Sequence, residues 1–416
     1  MIRLLFAASA VLLLAWDATA AVLGPRFEVP VEWVWRFDPR TRLFVRVSSA
    51  RDFAVASNGT DFFVAWSQRA LVGTVGPAGE PPLTTRAGVF GVRIDAAGNV
   101  LDAAPIQLPL PAGNMISPFP FSEPTNQWLT FTASSDSYLA CSSGCARVDS
   151  CGTLLDANPI PITGSGPPVV VSDDENGFVL VDNQMFSVAP DATVVAHPIA
   201  FTLGSVASDG DNLLNVTRSE ITLFDSNGAT LNVTPMPFQA SQRPAATFDG
   251  EEYLVLWQGL GPDGTGKYVT RVSSDGVPLD TSARLALSGF FDGSKDFGLR
   301  MSFDGMNAVG AWCRDCFFER NGASLIAIQP KDPIIATPAG GNGPMRRWLA
   351  LASNSTGVSV LVVDGLNIFP PSINLESFFP VIQFVTTWAP SPEQSEQIDR
   401  RCQHHRSHDD GEAGSK

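Results

Sequence analysis

The segment Pro244–Asp280, PAATFDGEEYLVLWQGLGPDGTGKYVTRVSSDGVPLD, contains the pattern on which most of the chain is built. Asp249-Gly250 predicts a tight turn, and Tyr253 to Trp257, rich in aromatic and branched residues, predicts a strand. Tyr268 to Ser273 predicts a second strand, which the Asp275-Gly276 turn ends. We therefore expect an antiparallel pair of strands in this segment.

Two markers of this unit recur along the chain. In the first, a tryptophan lies seven positions after the glycine of a tight turn, as in Asn58-Gly59 with Trp66, Asp249-Gly250 with Trp257 and Asp304-Gly305 with Trp312. The second marker is a hairpin that begins at an arginine, and its copies at Arg93 and Arg147 are 54 residues apart. Weaker copies of the first half surround Trp128, Phe178, Leu213 and Val360. Self-similarity of this kind indicates a repeat architecture.

Units of the form A-x-x-D-G-x-x-Y-L-V-x-W, followed by R-V-x-x-D-G-x-x-L-D, resemble the repeats of large extracellular bacterial β-propeller-like proteins. The resemblance extends from Arg51 to Asp364. It implies an all-β fold, a β-propeller of about six or seven blades built from degenerate repeats of roughly 40–55 residues. Such repeats support many unrelated tasks, so the resemblance implies an architecture and leaves the activity open.

The N-terminus has the features of a secretory signal peptide, which we assign to residues 1–20. Arg3 precedes the apolar run Leu4–Ala15, and Ala18-Thr19-Ala20 supplies small residues for cleavage. An uncleaved anchor is the alternative, although the apolar run is short for a membrane span. We expect a secreted protein, extracellular or periplasmic, with no membrane span after cleavage.

Residues 21–389 are predicted to form the repeat domain. Two strands within Val31–Arg46 precede the first repeat, and we expect them to complete the last blade, because ring closure pairs the chain ends. Residues 390–416 lack apolar periodicity and are predicted to be a disordered polar tail. Its metal-binding residue types suggest weak transition-metal binding, with a plain solvated terminus as the alternative; they are Cys402, His404, His405 and His408.

Composition restricts the fold and the partners. Hydrophobic residues make up 44% of the chain and charged residues 17%, with 36 Gly and 32 Pro, as expected for short strands joined by many turns. The net charge of −15 argues against nucleic acid, since phosphate binding is driven by Lys and Arg. We expect a monomer whose partner is a protein or a glycan at the cell surface.

The cysteines fall in three places: Cys141, Cys145 and Cys151; Cys313 and Cys316; and Cys402. Disulfides are the default in an oxidising compartment, so we expect a local bridge in the first cluster, whose third cysteine stays reduced or pairs elsewhere. Trp312 to Cys316 resembles the W-C-x-x-C of thioredoxin-type oxidoreductases. No βαβ pattern surrounds it, so a structural bridge is predicted. A zinc site that joins Cys313 and Cys316 to the first cluster is a further alternative.

Candidates for catalysis and metal binding are few. Within the predicted repeat domain the single histidine is His197, whose apolar context VVAHPIAF is typical of a strand and argues against a Ser-His-Asp triad. Most Asp residues occupy repeat turns, where their side chains bond the local backbone. Calcium remains possible at Asp173-Asp174-Glu175 and at Asp209-Gly210-Asp211-Asn212, although neither has the spacing of a known calcium loop. We assign no catalytic, cofactor-binding or metal-binding residue.

Two sets of repeat residues are interpreted structurally. Arg93, Arg147 and Arg271 are interpreted as outward-facing strand residues that bond a neighbouring turn. Trp66, Trp257 and Trp312 are interpreted as core residues between blades rather than as a platform for sugars. On length and Gly/Pro content, the binding loops are predicted to be the inserts Arg69–Thr85, Gly113–Asn126 and Pro338–Arg347.

The leading hypothesis for function is a secreted or surface-associated, non-catalytic β-propeller scaffold that binds a protein or glycan partner through the loops on one face. The alternative is a hydrolase or lyase that acts on carbohydrate or lactone with carboxylates or a metal in the central channel. Convergence of Asp, Glu or Asn side chains in that channel would favour the enzyme. A third hypothesis is a structural module of an envelope assembly.

Overall fold

The computed structural model describes residues 22–28, 30–38, 43–48, 50–68, 79–110, 129–134, 136–164, 168–173, 175–288, 296–314, 323–328, 336–339, 345–367 and 377–386, with residues 70, 72, 75 and 166. These residues form strands and turns and contain no helix, so none of them belongs to a helix that could span a membrane. The all-β prediction is confirmed. The predicted signal peptide and tail, the insert Gly113–Asn126 and Trp128 lie outside the described residues.

The described strands form seven sheets in a ring, which we number in chain order, and one separate hairpin of β2 (Trp33–Asp38) and β3 (Leu43–Ser48). Sheet 1 contains β4 (Ala50–Ser57), β5 (Phe62–Gln68), β6 (Gly88–Ile94) and β7 (Ile106–Leu108). Sheet 2 contains β8 (Thr130–Ala133), β9 (Ser137–Cys141) and β10 (Cys145–Asp149). Sheet 3 contains β11 (Val169–Ser172), β12 (Gly177–Val181), β13 (Gln184–Val188) and β14 (Val194–Pro198).

Sheet 4 contains β15 (Ser205–Ser208), β16 (Asn212–Val216), β17 (Glu220–Asp225) and β18 (Thr230–Pro235). Sheet 5 contains β19 (Gln239–Ala240), β20 (Ala245–Phe248), β21 (Tyr253–Gly261), β22 (Gly264–Val272) and β23 (Arg284–Ser288). Sheet 6 contains β24 (Asp296–Phe303), β25 (Ala308–Arg314), β26 (Ala323–Ile328) and β27 (Ala336–Ala339). Sheet 7 contains β28 (Met345–Ser353), β29 (Val358–Asn367), β30 (Ser377–Thr386) and β1 (Val22–Glu28).

Seven inner strands close the ring. They contact one another in the order β4, β8, β11, β15, β20, β24 and β28, and β28 contacts β4. The strands of a sheet then follow outward from its inner strand, so the inner strands surround a central channel, as in a β-propeller. The apolar core lies between neighbouring sheets: Phe53 and Trp66 of sheet 1 belong to one cluster with Ala350 and Val358 of sheet 7.

The N-terminal strand completes the last sheet, but it is a different strand from the one predicted. β1 pairs antiparallel with β30, with Val22 opposite Thr386, so both ends of the described chain meet in sheet 7. The two strands expected within Val31–Arg46 are β2 and β3, and they pair with each other, with Trp33 opposite Ser48. Because these two strands satisfy each other's backbone groups, the closing position is left to Val22–Glu28.

The turn after each inner strand explains the Asn/Asp-Gly marker. In sheet 5, one carboxylate oxygen of Asp249 accepts hydrogen bonds from the backbone N–H groups of Glu251 (2.9 Å) and Glu252 (2.8 Å). Gly250 has a φ of 97°, a conformation that a side chain disfavours. Asn58 and Asp304 make the same bonds in sheets 1 and 6. The Asn/Asp-Gly marker therefore recurs because the backbone of this turn requires a side-chain acceptor followed by a glycine at positive φ.

The ring has two faces that differ in their connections. We call the face at which the inner strands begin the insert face, because the connections from β5 to β6 and from β27 to β28 attach there. The opposite face, with the tight turns after the inner strands, is the turn face. On it the backbone N–H of Ser355 donates to the Gly59 carbonyl (3.0 Å) and that of Gly357 to the Asp304 carbonyl (3.0 Å). The turns of sheets 6, 7 and 1 therefore lie side by side.

Replacing Ala192 by glycine is expected to stabilise the protein by about 0.5–1 kcal/mol. Ala192 has a φ of 70°, at the turn position where other sheets carry a glycine at positive φ, namely Gly98, Gly152, Gly228 and Gly276. The left-handed conformation strains an alanine, and glycine removes the strain at some cost in unfolded-state entropy. Thermal melting of Ala192→Gly beside Ala189→Gly, from the start of the same turn, tests this, since the control should melt lower than the parent. A lower melting temperature for Ala192→Gly would contradict it.

Candidate binding face

The repeat tryptophans are buried between sheets. Trp66, Trp257 and Trp312 are at most 2% exposed. The ring of Trp257 stacks between Phe238 and Tyr268, at centroid distances of 5.0 and 4.8 Å, and its Nε1 donates to the Thr270 hydroxyl at 3.0 Å. Rings enclosed in this way present no face to a ligand in solution.

The repeat arginines are partners of an aspartate nine residues further on. Arg93 and Arg147 bond a neighbouring turn as predicted, but they are buried and do not face outward. Arg147 Nη2 lies 2.7 Å from Asp156 Oδ1, and the side chains are 9% and 8% exposed. The backbone N–H of Arg147 also donates to Asp156 Oδ2 (2.7 Å). Arg93 with Asp102 and Arg271 with Asp280 repeat the arrangement. The carboxylate accepts hydrogen bonds from both the backbone N–H and the guanidinium. These charge-assisted bonds compensate the free-energy cost of removing the arginine from water.

These arginines also connect neighbouring sheets on the turn face. Arg93 Nη1 donates to the Ser150 carbonyl of sheet 2 (2.9 Å), and Arg147 Nη1 donates to the Pro190 carbonyl of sheet 3. In sheet 4, where leucine replaces the arginine, Asn232 Nδ2 donates to the Asp275 carbonyl of sheet 5 (2.8 Å). On the turn face, these polar side chains therefore bond neighbouring sheets of the ring to each other.

The first cysteine cluster contains a disulfide between Cys141 and Cys145, which face each other across β9 and β10. Cys151 is disulfide-bonded as well. Cys313 lies within β25, opposite Ala323 of β26, so it does not begin a helix as the thioredoxin-type motif requires. Cys316 and Cys402 lie outside the described residues.

The acidic clusters and His197 occupy structural positions. Asp173 Oδ1 accepts from the backbone N–H groups of Glu175 (3.0 Å) and Asn176 (2.6 Å), and Asp209 makes the equivalent turn on the same face. His197 lies on the outer strand β14, with Nε2 3.3 Å from the Ser187 hydroxyl. Within the described part of the chain, no group of three or more His, Cys, Asp or Glu residues is placed to hold a metal ion.

Three of the inner strands have mainly small, uncharged side chains. The inner strands β11, β15 and β20 have the sequences VVVS, SVAS and AATF. Among the side chains that the structure describes on the seven inner strands there is no Asp, Glu or Asn, and the one charged group is Arg300 of β24. The described wall therefore lacks the convergence of carboxylates and amides that would favour the enzyme hypothesis.

Two arginines lie on or beside the inner strands of sheets 5 and 6. Arg300, opposite Ala311 of β25, is half-buried, and its Nη1 donates to the Leu299 carbonyl (3.0 Å). Arg243 precedes β20 by two residues, and its Nη2 donates to the carbonyl of Gly204, which immediately precedes β15. Burial and then the charge of Arg243 lower the pKa of Arg300 to about 10, and burial lowers the pKa of Arg243. The Arg300 guanidinium is therefore still charged at neutral pH.

The two arginines contact solvent although protein surrounds them. Arg243 is exposed, yet enough protein atoms lie around its side chain to lower the pKa.

A third cation lies deeper between sheets 5 and 6. Lys267 of β22 is fully buried, its Nζ donates to Gln258 Oε1 (3.0 Å), and it lies 4.5 Å from the ring centroid of Trp312. Cation–π contact with an indole stabilises a desolvated ammonium group. The junction between sheets 5 and 6 therefore contains a buried ammonium group that an amide oxygen and an indole ring stabilise.

The sequence interpretation did not single out Arg243, Arg300 or Lys267. Arg300 stands four residues before its turn, where the better-preserved repeats have Ala54 and Ala245. An arginine at a position where other repeats have alanine is a signal that alignment of the repeats could have shown. For Arg243 and Lys267 we find no comparable signal, because the repeats differ in length in both places.

The predicted inserts attach to the insert face. In the insert Arg69–Thr85, Val72, Val75 and Leu83 are 73%, 52% and 55% exposed. The insert predicted over Pro338–Arg347 is shorter than expected, since Pro338 belongs to β27 and Met345 already begins β28, which leaves residues 340–344 as the connection.

No protein-family model matches the chain, and no curated protein matches its sequence. Among solved structures, the WD40 domain of Neurospora crassa Pan2 is similar over 90% of this chain and 98% of that one, with 9% identity and a TM-score of 0.51. A fungal alcohol oxidase of the AA5 family, solved in complex with copper, is similar over 89% and 79%, with 11% identity and a TM-score of 0.53. BamB from Moraxella catarrhalis aligns over 88% and 97%, with 12% identity and a TM-score of 0.38.

At these identities the likeness shows the fold alone. WD40 repeats build β-propellers, and the ring of radial antiparallel sheets described above is the same architecture. The chain is therefore a β-propeller repeat protein, and the predicted fold class is confirmed.

Proposed function

We propose that this protein is an exported, non-catalytic β-propeller scaffold that binds a protein or glycan partner through its insert face. The observation that carries the proposal is the exposure of Val72, Val75 and Leu83 on one insert of that face. Val72 bridges to Thr84, which places it beside Leu83, and exposed apolar residues that lie together are typical of an interaction surface. Propellers commonly place their variable binding segments on one face of a rigid ring.

Export is supported by two features. Residues 1–20 have the sequence pattern of a secretory signal peptide. The disulfide between Cys141 and Cys145, with Cys151 also disulfide-bonded, suits an oxidising compartment, because thiols are kept reduced in the cytosol.

Site-specific photo-crosslinking in the exported protein tests the choice of face. A photoreactive residue at Val75 is expected to form an adduct with the partner, whereas one at the exposed Asn227 of a turn-face turn is not. Replacing Val72 and Leu83 by serine is expected to reduce the Val75 adduct about tenfold, since each apolar contact removed from water contributes on the order of 1–2 kcal/mol.

Adducts that form at Asn227 and not at Val75 would place the partner on the wrong face and contradict the proposal. Absence of any adduct at either position would contradict it as well. Turnover of polysaccharides or lactones by the purified protein would instead favour the alternative, a hydrolase or lyase.

A further inference from the structure

We propose that the junction between sheets 2 and 3 contains, on the turn face, a binding pocket for a single phenol ring. The ring takes the place that a tyrosine side chain of the protein itself fills in another junction of the propeller. This inference goes beyond the proposed function, because the pocket lies on the face opposite the inserts.

The pocket exists because sheet 3 has a glycine where the other sheets have a side chain. Gly177, the first residue of β12, lies four residues after Asp173, which opens the turn. At the same distance from the start of their turns, the other six sheets have Phe62, Tyr138, Leu213, Tyr253, Ala308 and Val358. Ser172, just before the turn, likewise corresponds to Phe248 of sheet 5. Sheet 3 therefore lacks both of the rings that sheet 5 has in these places.

The junction between sheets 4 and 5 shows what the missing side chains would fill. There the rings of Phe248 and Tyr253 lie 5.0 Å apart, and Tyr253 packs in one cluster with Leu214 of sheet 4. The counterpart of Leu214 in sheet 2 is Leu139, five residues after the start of its turn. The junction between sheets 2 and 3 therefore has the leucine without the tyrosine.

A pocket of about 290 Å³, part of it open to solvent, lies in this junction. Leu139 and Val188 are the buried apolar side chains of its lining. Half-buried hydroxyl groups make up much of the remainder; they belong to Thr132, Ser134, Ser137 and Ser172. Apolar surface beside hydroxyl groups suits an aromatic ring that carries a hydroxyl group of its own.

The backbone offers this hydroxyl an acceptor. In sheet 4, the Asn212 carbonyl accepts from the backbone N–H of Asp209 (3.1 Å) and from the Tyr253 hydroxyl (3.3 Å). The equivalent carbonyl in sheet 2 is that of Ser137, which accepts from the backbone N–H of Ser134 (2.9 Å). The Ser134 hydroxyl lies 3.4 Å from this carbonyl and 3.2 Å from the Ser137 hydroxyl, so it has a second partner. A carbonyl oxygen has two lone pairs, and we expect the phenol to donate to the second one.

The charges at the pocket favour a neutral ligand. Arg147 lines it, but its guanidinium forms an ion pair with Asp156 at 2.7 Å. Glu175, which also lines the pocket, is exposed and adds a negative charge. An anion would be repelled by Glu175 and attracted little by the paired Arg147. A phenol, whose pKa is about 10, is uncharged at neutral pH.

Binding of a ring requires a small movement of Leu139. A Cβ atom on Gly177 would lie 2.4 Å from Leu139 Cδ2, so the end of the leucine occupies part of the space. Leu214 packs beside a tyrosine in the equivalent place, so a leucine at this position does not exclude a ring. We therefore expect the ligand to bind with rotation of the Leu139 side chain.

The test is ligand binding by the purified, full-length exported protein, measured by saturation-transfer NMR and by the shift in melting temperature. The probes are p-cresol, its methyl ether, glucose and the peptide Gly-Tyr-Gly. We expect p-cresol to bind and to raise the melting temperature. The methyl ether lacks the donor and is expected to bind about three- to tenfold more weakly. Binding of the peptide as well would identify a tyrosine of another protein as the source of the ring, and binding of p-cresol alone would identify a free phenol.

Gly177→Tyr is expected to abolish p-cresol binding and to raise the melting temperature, because the new side chain fills the pocket from within. Ser172→Phe, which copies Phe248 of sheet 5, is a second blocking variant and keeps the test decisive if Gly177→Tyr does not fold. Asn227→Tyr is the matched control, since it adds the same side chain at an exposed turn of sheet 4 on the same face. It should leave p-cresol binding unchanged.

Unchanged p-cresol binding in the blocking variants, or its loss in Asn227→Tyr, would overturn the site. Equal binding of p-cresol and its methyl ether would overturn the hydrogen bond to Ser137. Glucose binding without p-cresol binding would overturn the phenol in favour of a sugar, and binding of no probe would leave the pocket to water and overturn the inference. None of these results bears on the adduct at Val75, so this inference and the proposed function fail separately.

Discussion

Replacing Trp257 by alanine is expected to destabilise the protein by about 3–5 kcal/mol. The side chain is fully buried between sheets 4 and 5, in one cluster with Leu214, Val216 and Tyr253. Its loss removes a large apolar area and the stacking against Phe238 and Tyr268, and the backbone cannot collapse onto the space because β-sheets hold it on both sides. Urea unfolding followed by far-ultraviolet circular dichroism measures the change.

Trp257→Phe is the control for this prediction. Phenylalanine keeps an aromatic ring between Phe238 and Tyr268 but removes the 3.0 Å hydrogen bond to Thr270, so we expect a smaller loss, of about 1–2 kcal/mol. A loss below about 1 kcal/mol for the alanine variant would mean that Trp257 is not the structural core of its repeat.

Replacing Asp156 by alanine is expected to cost a similar amount, about 3–5 kcal/mol, for an electrostatic reason. Asp156 accepts from the backbone N–H of Arg147 at 2.7 Å and from its Nε and Nη2 at 3.0 and 2.7 Å. Without the carboxylate, the Arg147 guanidinium is left in a buried position with its charge uncompensated. Its contact with Pro190 of sheet 3 would weaken as well, so we expect loss of the junction between sheets 2 and 3.

Two comparisons separate charge from packing. The double variant Arg147→Met with Asp156→Asn removes both charges at similar volume, keeps an acceptor for the backbone N–H of Arg147, and should recover most of the stability. Glu32→Gln removes one partner of an ion pair whose arginine, Arg86, is 58% exposed, and should cost no more than about 1 kcal/mol. We compare the melting temperatures of Asp156→Ala and of the double variant. A double variant as unstable as Asp156→Ala would contradict the electrostatic explanation.

The turns and strands within each repeat can be predicted from the local sequence. Asn58-Gly59, Asp249-Gly250 and Asp304-Gly305 specify tight turns because glycine adopts positive φ and the preceding side chain bonds the backbone two and three residues on. Alternation of apolar residues then fixes the strands on both sides. These are interactions within a few residues, so the sequence is sufficient to predict them.

The limits of the strands and the pairing of distant segments were predicted less well. β21 and β22 extend to Gly261 and Gly264, beyond the predicted strands, because cross-strand pairing continues through a stretch of Gly that has low strand preference. The choice of Val22–Glu28 as the closing strand depends on a partner more than three hundred residues away, β30. Local pattern favours β2 and β3 instead, because Val22–Glu28 contains Gly24-Pro25 and lacks their alternation.

The sequence by itself determined the all-β repeat architecture, the turns and the tryptophans that fill the space between sheets, because each depends on neighbours within one repeat. The tertiary structure alone decided which strand closes the ring and that Arg93 and Arg147 are buried in ion pairs with Asp102 and Asp156. The physical reason is that ring closure brings residues of different repeats together. Burial and ion pairing depend on distances in space, which spacing along the chain does not contain.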